Sequence, residues 1–361
     1  MRAHERRIRQ KRRGSRWRRE MRRPRVKVEG EGFYHVVSRI GGKRFLIDEK
    51  EKAILLGMIR AAAAFSGVEL YTFAIMSNHF HLLVRVPRKK TVSDAELLRR
   101  MEALYGTPRY RKVLEKWEKW TQKKQEWRVL DEKARMRARM YDLSQFCKTF
   151  KETYTQDYNK RHENTGTIWE GRFKSILLEG SYRAMMTVAG YIHLNPVRAA
   201  MADAPEDARN AGYGAACHGD FAAQDGLRAL VSRVCRAEDS SWEQAREACA
   251  SAIEGKVPPS SDASAPKNAG NKEAAPSSES EVADEVVERD EKGRMLPPKT
   301  VRGLLRRRVA GFLQGGALGG AAFLRRVAGC LPSRVRRRAE GLFDQCPFLG
   351  LSSAAGVRDA S

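Results

Sequence analysis

Two apolar segments, 68–76 and 79–86, are joined by only two residues, and this close pairing constrains the fold more than any other feature. Both segments are rich in aliphatic, β-branched and aromatic residues, and two-residue connections are typical of neighbouring antiparallel strands. A third strand is predicted at 33–40, followed by a helix that Asp48 caps and that ends near Phe65. We therefore expect an antiparallel sheet that also packs helices.

The chain beyond the charged stretch at 88–142 continues the alternation. An amphipathic pattern predicts a helix at 143–159, and 168–179 is predicted to be a strand interrupted by a glycine. Ser181 is the expected N-cap of a further helix that Pro196 closes. The order β-α-β-β-α-β-α predicts an α+β domain, an antiparallel sheet with helices on one or both faces.

Composition divides the chain into five segments. We predict a disordered basic arm at 1–24 and a domain at 25–215 that includes a charged helical insertion at 88–142. A helical extension at 216–253, a flexible linker at 254–299 and a basic C-terminal segment at 300–361 with two short helices follow. The insertion carries Trp117, Trp120 and Trp127 among its charged residues. Such tryptophans could stack on bases, but an apolar seam between paired helices explains their spacing better.

The net charge of +25 and the pI near 10.1 indicate a polyanionic partner, and nucleic acid is the natural one. A ribosomal or membrane-surface protein would have similar values. The six cysteines are dispersed, which argues against a zinc ribbon or a disulfide scaffold and fits a reducing cytosol. The sequence shows neither a secretory signal nor an apolar run long enough to span a bilayer, so we expect a cytoplasmic protein without membrane contact.

His79, Phe80 and His81 form a histidine-hydrophobe-histidine motif inside a predicted strand. Side chains alternate in a strand, so both imidazoles project from one face and Phe80 from the other. Two imidazoles on one rigid face can chelate a divalent metal. On its own, however, the motif is better explained by two solvent-facing histidines at the end of a strand.

A second motif contains a nucleophile. Tyr191 and Asn195 are four residues apart and share one face of the predicted helix. A phenol can attack phosphorus and later leave, and the Asn195 carboxamide oxygen offers an uncharged third metal ligand. Taken alone, Tyr191 would be explained as a core tyrosine. His193 lies about 200° around the helix from Tyr191 and is a poor candidate for the base that takes its proton.

Together these motifs resemble a known family, the Y1 transposases of the IS200/IS605 type, and most closely their REP-associated tyrosine transposases. The segments that carry the resemblance are FYHVVSRI (33–40), MSNHFHLLV (76–84), GRFKSILLE (171–179) and YIHLNPVRA (191–199). The likeness spans roughly 26–215 without the insertion. These proteins are HUH endonucleases, whose fold is an antiparallel sheet with packed helices.

The resemblance implies that His79 and His81 bind Mg²⁺ or Mn²⁺ and that Tyr191 forms a 5′-phosphotyrosine with single-stranded DNA. The third ligand in the family is often glutamine; here Asn195 stands in its place. The implied function is a DNA transposase that nicks and rejoins single strands at hairpin or REP-like sequences. IS200-type relatives share each site between two subunits, whereas some REP-associated relatives act alone, so a homodimer is compatible with the sequence.

Basic side chains near these motifs are the candidate phosphate contacts: Lys148, Lys151, Arg161, Arg172, Lys174 and Arg198. A solvated basic face would account for each of them equally well. Trp169 could stack on an unpaired base or belong to the core.

Three alternative functions remain open from the sequence. A rolling-circle initiator would use the same histidines and tyrosine, but the sequence has no GxxxxGK[ST] loop for an associated helicase. A non-catalytic regulator that binds hairpin DNA or RNA would keep the fold and form no covalent adduct. A hydrolytic metal nuclease would need no tyrosine.

Overall fold

The computed structural model describes residues 26, 28–257, 316–319, 323, 326–327 and 352–353. The predicted N-terminal arm, the linker and the two predicted C-terminal helices lie outside these residues or almost entirely so. None of the described helices is both long and apolar enough to cross a lipid bilayer.

The described strands form one sheet in the order β2-β3-β1-β4-β5-β6. Their bounds are β1 Gly32–Arg39, β2 Glu69–Ile75, β3 His79–Val86, β4 Lys174–Leu178, β5 Gly316–Gly319 and β6 Ser352–Ser353. The first four strands pair antiparallel throughout, as predicted. The predicted strand at 168–179 is shorter in the structure, because only its second half pairs with β1.

The C-terminal strand β5 departs from the prediction, since it pairs parallel with β4. We expected only helices in this segment. The unpaired backbone groups at an edge strand accept any extended segment that reaches them, and a short Gly-Ala-Leu-Gly run carries no pattern that reveals such pairing.

The described helices are α1 Glu49–Ser66, α2 Asp94–Tyr105, α3 Thr107–Gln122, α4 Glu126–Ala138, α5 Leu143–Arg161, α6 Tyr182–His193, α7 Asn195–Arg198, α8 Gly212–Cys217, α9 Phe221–Cys235 and α10 Trp242–Ile253. Both predicted caps are confirmed. The Asp48 carboxylate accepts a hydrogen bond from the Glu51 amide, and the Ser181 hydroxyl accepts one from the Ala184 amide.

Pro196 does not close a helix as predicted. Helix α6 already ends at His193, and Pro196 lies in the first turn of the short helix α7. Proline is tolerated there because the first turn of a helix needs no amide hydrogen from it.

The sheet is covered by helices on both faces, which the sequence left open. Helices α1 and α5 cover one face, where Phe80 packs edge-on against Phe150. Helix α6 covers the other face together with α9 and α10, and its His193 contacts Thr72 of β2.

The insertion forms three helices, α2 to α4, with a small core of its own that joins the end of α1. Its fully buried members are Phe65, Val92, Leu97, Met101, Trp117 and Met140. The predicted tryptophan seam is confirmed for Trp117, whose indole donates to the Glu132 carboxylate over 2.9 Å. It is wrong for Trp127, which is 63% exposed.

Candidate transposase site

The histidines of β3 project from the face that α6 covers. Their ring centres are 5.1 Å apart, while Phe80 points to the opposite face and contacts Trp169 there. Both imidazoles are buried. The period-two geometry predicted for the motif is therefore confirmed, but the histidines do not face open solvent.

Tyr191 of α6 lies directly over these histidines. Its ring centre is 5.9 Å from that of His81, and the two rings meet edge to face at 78°. The Tyr191 side chain is only 1% exposed. Helix α6 also packs closely against α10 at Gly190, because a Cβ atom at this position would lie only 2.7 Å from the Ala252 carbonyl oxygen.

The hydrogen bond of His79 fixes which ring nitrogen carries its proton. Its Nδ1 lies 2.7 Å from the side-chain oxygen Oδ1 of Asn78. A carboxamide oxygen only accepts hydrogen bonds, so Nδ1 must carry the hydrogen. The lone pair of His79 is then on Nε2, the nitrogen through which the ring could bind a metal.

A third buried histidine, His35 of β1, lies beside this pair. Its Nε2 is 2.9 Å from His81 Nδ1, and its ring centre is 6.0 Å from that of Tyr191. Sequence reasoning missed His35, although it stands in the predicted strand at 33–40. The alternation of that strand was visible in the sequence, but the pairing register that brings His35 next to His81 was not.

Asn195 is held by the end of α6. Its amide nitrogen donates to the carbonyl oxygens of Tyr191 at 3.0 Å and Ile192 at 3.4 Å. This orientation leaves the carboxamide oxygen as the group that could bind a cation. Within the part of the chain that the structure describes, no three His, Cys, Asp or Glu side chains form a metal-binding cluster. The chemistry of the predicted donor set, two imidazole nitrogens and a carboxamide oxygen, suits a divalent cation.

Arg198, predicted as a phosphate contact, lies on the candidate nucleophile. Its guanidinium carbon is 4.4 Å from the Tyr191 ring centre, and its guanidinium donates to the Tyr191 carbonyl oxygen. A cation over an aromatic face attracts the π electrons of the ring. The arginine thus fixes the ring and adds positive charge beside it.

One segment of the chain matches a known protein family. Residues 31–128 match the family model described as "Transposase IS200 like", a segment that includes both β3 histidines but ends before Tyr191. The resemblance to the IS200-type family that the motifs indicated is confirmed over that segment.

A solved structure of a REP-associated tyrosine transposase bound to a REP hairpin is also similar to this chain. The two are 13% identical with a TM-score of 0.35, and the alignment covers 53% of this chain and 82% of the other. No curated protein sequence matches the chain.

Four of the predicted DNA contacts are exposed, namely Lys148, Arg161, Arg172 and Lys174. Lys174 has the most informative position. Val37 of β1 is paired with His81 on one side and with Lys174 on the other. Directly paired residues share a sheet face, so Lys174 stands in the same row as His81, about 10 Å away.

Two other predicted contacts lie inside the fold. The Lys151 ammonium donates to the Ser38 hydroxyl over 2.7 Å and to the Gly171 carbonyl over 3.0 Å. The Trp169 indole is buried and donates to the Lys151 carbonyl oxygen over 3.2 Å. These bonds hold the loop before β4 against α5, so both side chains serve the packing of the fold.

Arg161 forms an ion pair with the buried carboxylate of Glu51. It donates to both carboxylate oxygens of Glu51, which also accepts from His162 and Tyr154, each over 2.9 Å. Burial acts to raise the pKa of Glu51, but the hydrogen bonds from Arg161, His162 and Tyr154 outweigh it and lower that pKa to about 2. Arg161 therefore joins α5 to α1.

His193 is fully buried, and its Nε2 lies 2.7 Å from the Thr72 hydroxyl. Burial lowers the pKa of His193 to about 3, which keeps the ring neutral near pH 7. His193 thus fastens α6 to β2, in line with the expectation that it does not serve Tyr191.

Proposed function

We propose that this protein nicks and rejoins single-stranded DNA through a covalent bond to Tyr191, beside a divalent metal bound by His79, His81 and Asn195. The observation that carries the proposal is that β3 and α6, far apart in sequence, bring the Tyr191 ring within 5.9 Å of His81 in a single chain. Two buried histidines, His35 and His81, lie against the Tyr191 ring, which is unusual for a tyrosine that only fills the core.

The reaction exchanges one phosphoester bond for another. The Tyr191 phenol oxygen forms a bond to phosphorus, and the bond from phosphorus to the 3′ oxygen breaks. The phenol loses its proton, and the departing 3′ oxygen gains one to become a hydroxyl. Arg198 stabilises the negative charge that develops on the phenol oxygen. Because the phosphotyrosine keeps the bond energy, another 3′-hydroxyl can reverse the step and join a different strand.

The metal ligands follow from the hydrogen bonds. His79 would bind through Nε2, since its Nδ1 donates to Asn78, and Asn195 would bind through its carboxamide oxygen. When bound, Mg²⁺ or Mn²⁺ supplies positive charge to the non-bridging phosphate oxygens. The neutral ligands preserve that charge.

The net charge of +25 favours a nucleic acid substrate, and the exposed Lys174, in the same row as His81, would contact a phosphate of the bound strand. The relation to IS200-like transposases and the likeness to a transposase bound to a REP hairpin make hairpin-bearing DNA the first substrate to test.

The test is incubation of the protein with single-stranded hairpin oligonucleotides, labelled at one end or the other, in Mg²⁺ or Mn²⁺. We expect an adduct that survives denaturation and carries only the 3′ label, because the enzyme holds the 5′ phosphate of the downstream fragment. Tyr191→Phe should abolish the adduct, and Tyr213→Phe, a matched change in another buried tyrosine, should not.

Two outcomes would overturn the proposal. Hairpin binding that is equal in the wild type and Tyr191→Phe, with no adduct in either, would indicate a regulator. Cleavage that persists in Tyr191→Phe and releases a free 5′ phosphate would indicate a hydrolytic nuclease.

A further inference from the structure

We propose that His35 is a positioning residue, which accepts a hydrogen bond from His81 Nδ1 and so presents His81 Nε2 to the metal. The inference rests on the proposed function, because it names a residue that acts on one of the proposed ligands. His35 is fully buried and stands on β1, outside both motifs.

The sheet register explains how the two rings meet. His35 is paired with Leu83, and His81 is paired with Val37, so the two histidines are diagonal neighbours on one face. Diagonal neighbours in an antiparallel pair are within reach of aromatic side chains.

The geometry of the rings distinguishes a hydrogen bond from shared metal binding. His35 Nε2 and His81 Nδ1 are 2.9 Å apart, the ring centres are 5.2 Å apart, and the planes differ by only 19°. The centre distance is close to the nitrogen separation plus two ring radii, so both nitrogens lie near the line between the centres. Their axes point at each other, which suits N–H···N and not convergence on one ion.

Two proton placements are compatible with this bond. If His81 donates, its Nε2 holds a lone pair for the metal; if His35 donates, His81 Nε2 carries a hydrogen and must lose it before binding. In the first placement both proposed histidine ligands carry their hydrogen on Nδ1, since His79 also donates from Nδ1. A hydrogen-bond acceptor at position 35 would favour the His81 tautomer with hydrogen on Nδ1.

Substitutions separate the two placements. In His35→Gln the carboxamide can turn its oxygen toward His81 Nδ1 and accept the hydrogen bond there, which is the rescue that the inference expects. His35→Leu removes the acceptor. His218→Leu is the control, because it removes a histidine whose ring bonds the Gly214 carbonyl oxygen, outside both the sheet and α6.

The first measurement is nitrogen-15 NMR of histidine-labelled protein without metal. We expect His81 to carry its hydrogen on Nδ1 in the wild type, in His35→Gln and in His218→Leu, and to shift toward Nε2 in His35→Leu. A wild-type His81 with its hydrogen on Nε2 would overturn the inference, and so would the same tautomer in all variants.

The second measurement is calorimetric binding of Mn²⁺ to the same proteins. Loss of such an outer partner typically weakens metal binding 10- to 100-fold, so we expect a loss of about this size in His35→Leu, near wild-type affinity in His35→Gln and no change in His218→Leu. Wild-type affinity in His35→Leu, or no recovery in His35→Gln, contradicts the inference. If His35→Leu fails to fold, the wild-type and His35→Gln results decide.

These readouts are independent of Tyr191 chemistry. If no DNA adduct forms while Mn²⁺ binding and the His81 tautomer follow the expected pattern, the proposed function fails and the role of His35 stands. If the wild type binds no Mn²⁺, both fail.

Discussion

The two faces of β3 serve different purposes although their residues alternate along one strand. Phe80 points to the face covered by α5, where it contacts Phe150 and Trp169. His79 and His81 point to the face covered by α6, where Tyr191 and His35 surround them. One face supplies apolar burial and the other holds polar groups in place. We infer that stability and chemistry can be altered separately in this sheet.

The largest effect on stability is expected from Phe80→Ala. Removing a fully buried aromatic ring costs about 3–5 kcal/mol of the free energy of unfolding, because it loses buried area and leaves a cavity. His79→Ala should cost much less and instead abolish Mn²⁺ binding. Urea unfolding and calorimetry of the two variants measure both effects. Equal losses of stability would show that the two faces do not differ as we describe.

The next effect concerns Glu51, on the face of α1 and α5. Its pKa is lowered from 4.5 to about 2, so the folded state holds its proton more weakly than the unfolded chain does. This stabilisation is present above about pH 4.5 and is lost as the pH falls toward 2, and it is on the order of 3 kcal/mol. Glu51→Gln should be less stable at pH 7 and should lose less stability in acid. Unfolding curves from pH 7 to pH 2.5 test this, and parallel curves for the two proteins would contradict it.

The smallest effect is expected from Lys174→Ala, at the exposed edge of the α6 face. Losing one phosphate contact should weaken DNA binding severalfold and lower the slope of its salt dependence by about one, with no change in stability. Lys148→Ala is the control, since Lys148 lies on α5 beside Glu152. Fluorescence anisotropy with a hairpin oligonucleotide at several salt concentrations measures the slope. A larger loss of DNA affinity in Lys148→Ala than in Lys174→Ala would indicate that DNA does not bind on the histidine face.

Much of the fold could be predicted because its signals are local. The strands at 33–40, 68–76 and 79–86 were found within a residue or two, and the caps Asp48 and Ser181 were correct. The parallel strand β5 was missed because its pairing depends on a distant edge. The exposure of Trp127 was missed because helix spacing alone does not reveal which turns of a hairpin have a partner.

The sequence by itself determined which side chains of β3 point together, because the direction of a strand side chain depends only on whether its position is odd or even. It did not determine that Tyr191 and Asn195, predicted to share one helix, lie on the successive helices α6 and α7. Only the tertiary structure decided that His35 meets His81, that Arg198 lies over Tyr191, and that Lys151 and Trp169 are buried. These contacts depend on sheet register and helix packing, which join distant segments and leave no trace in local spacing.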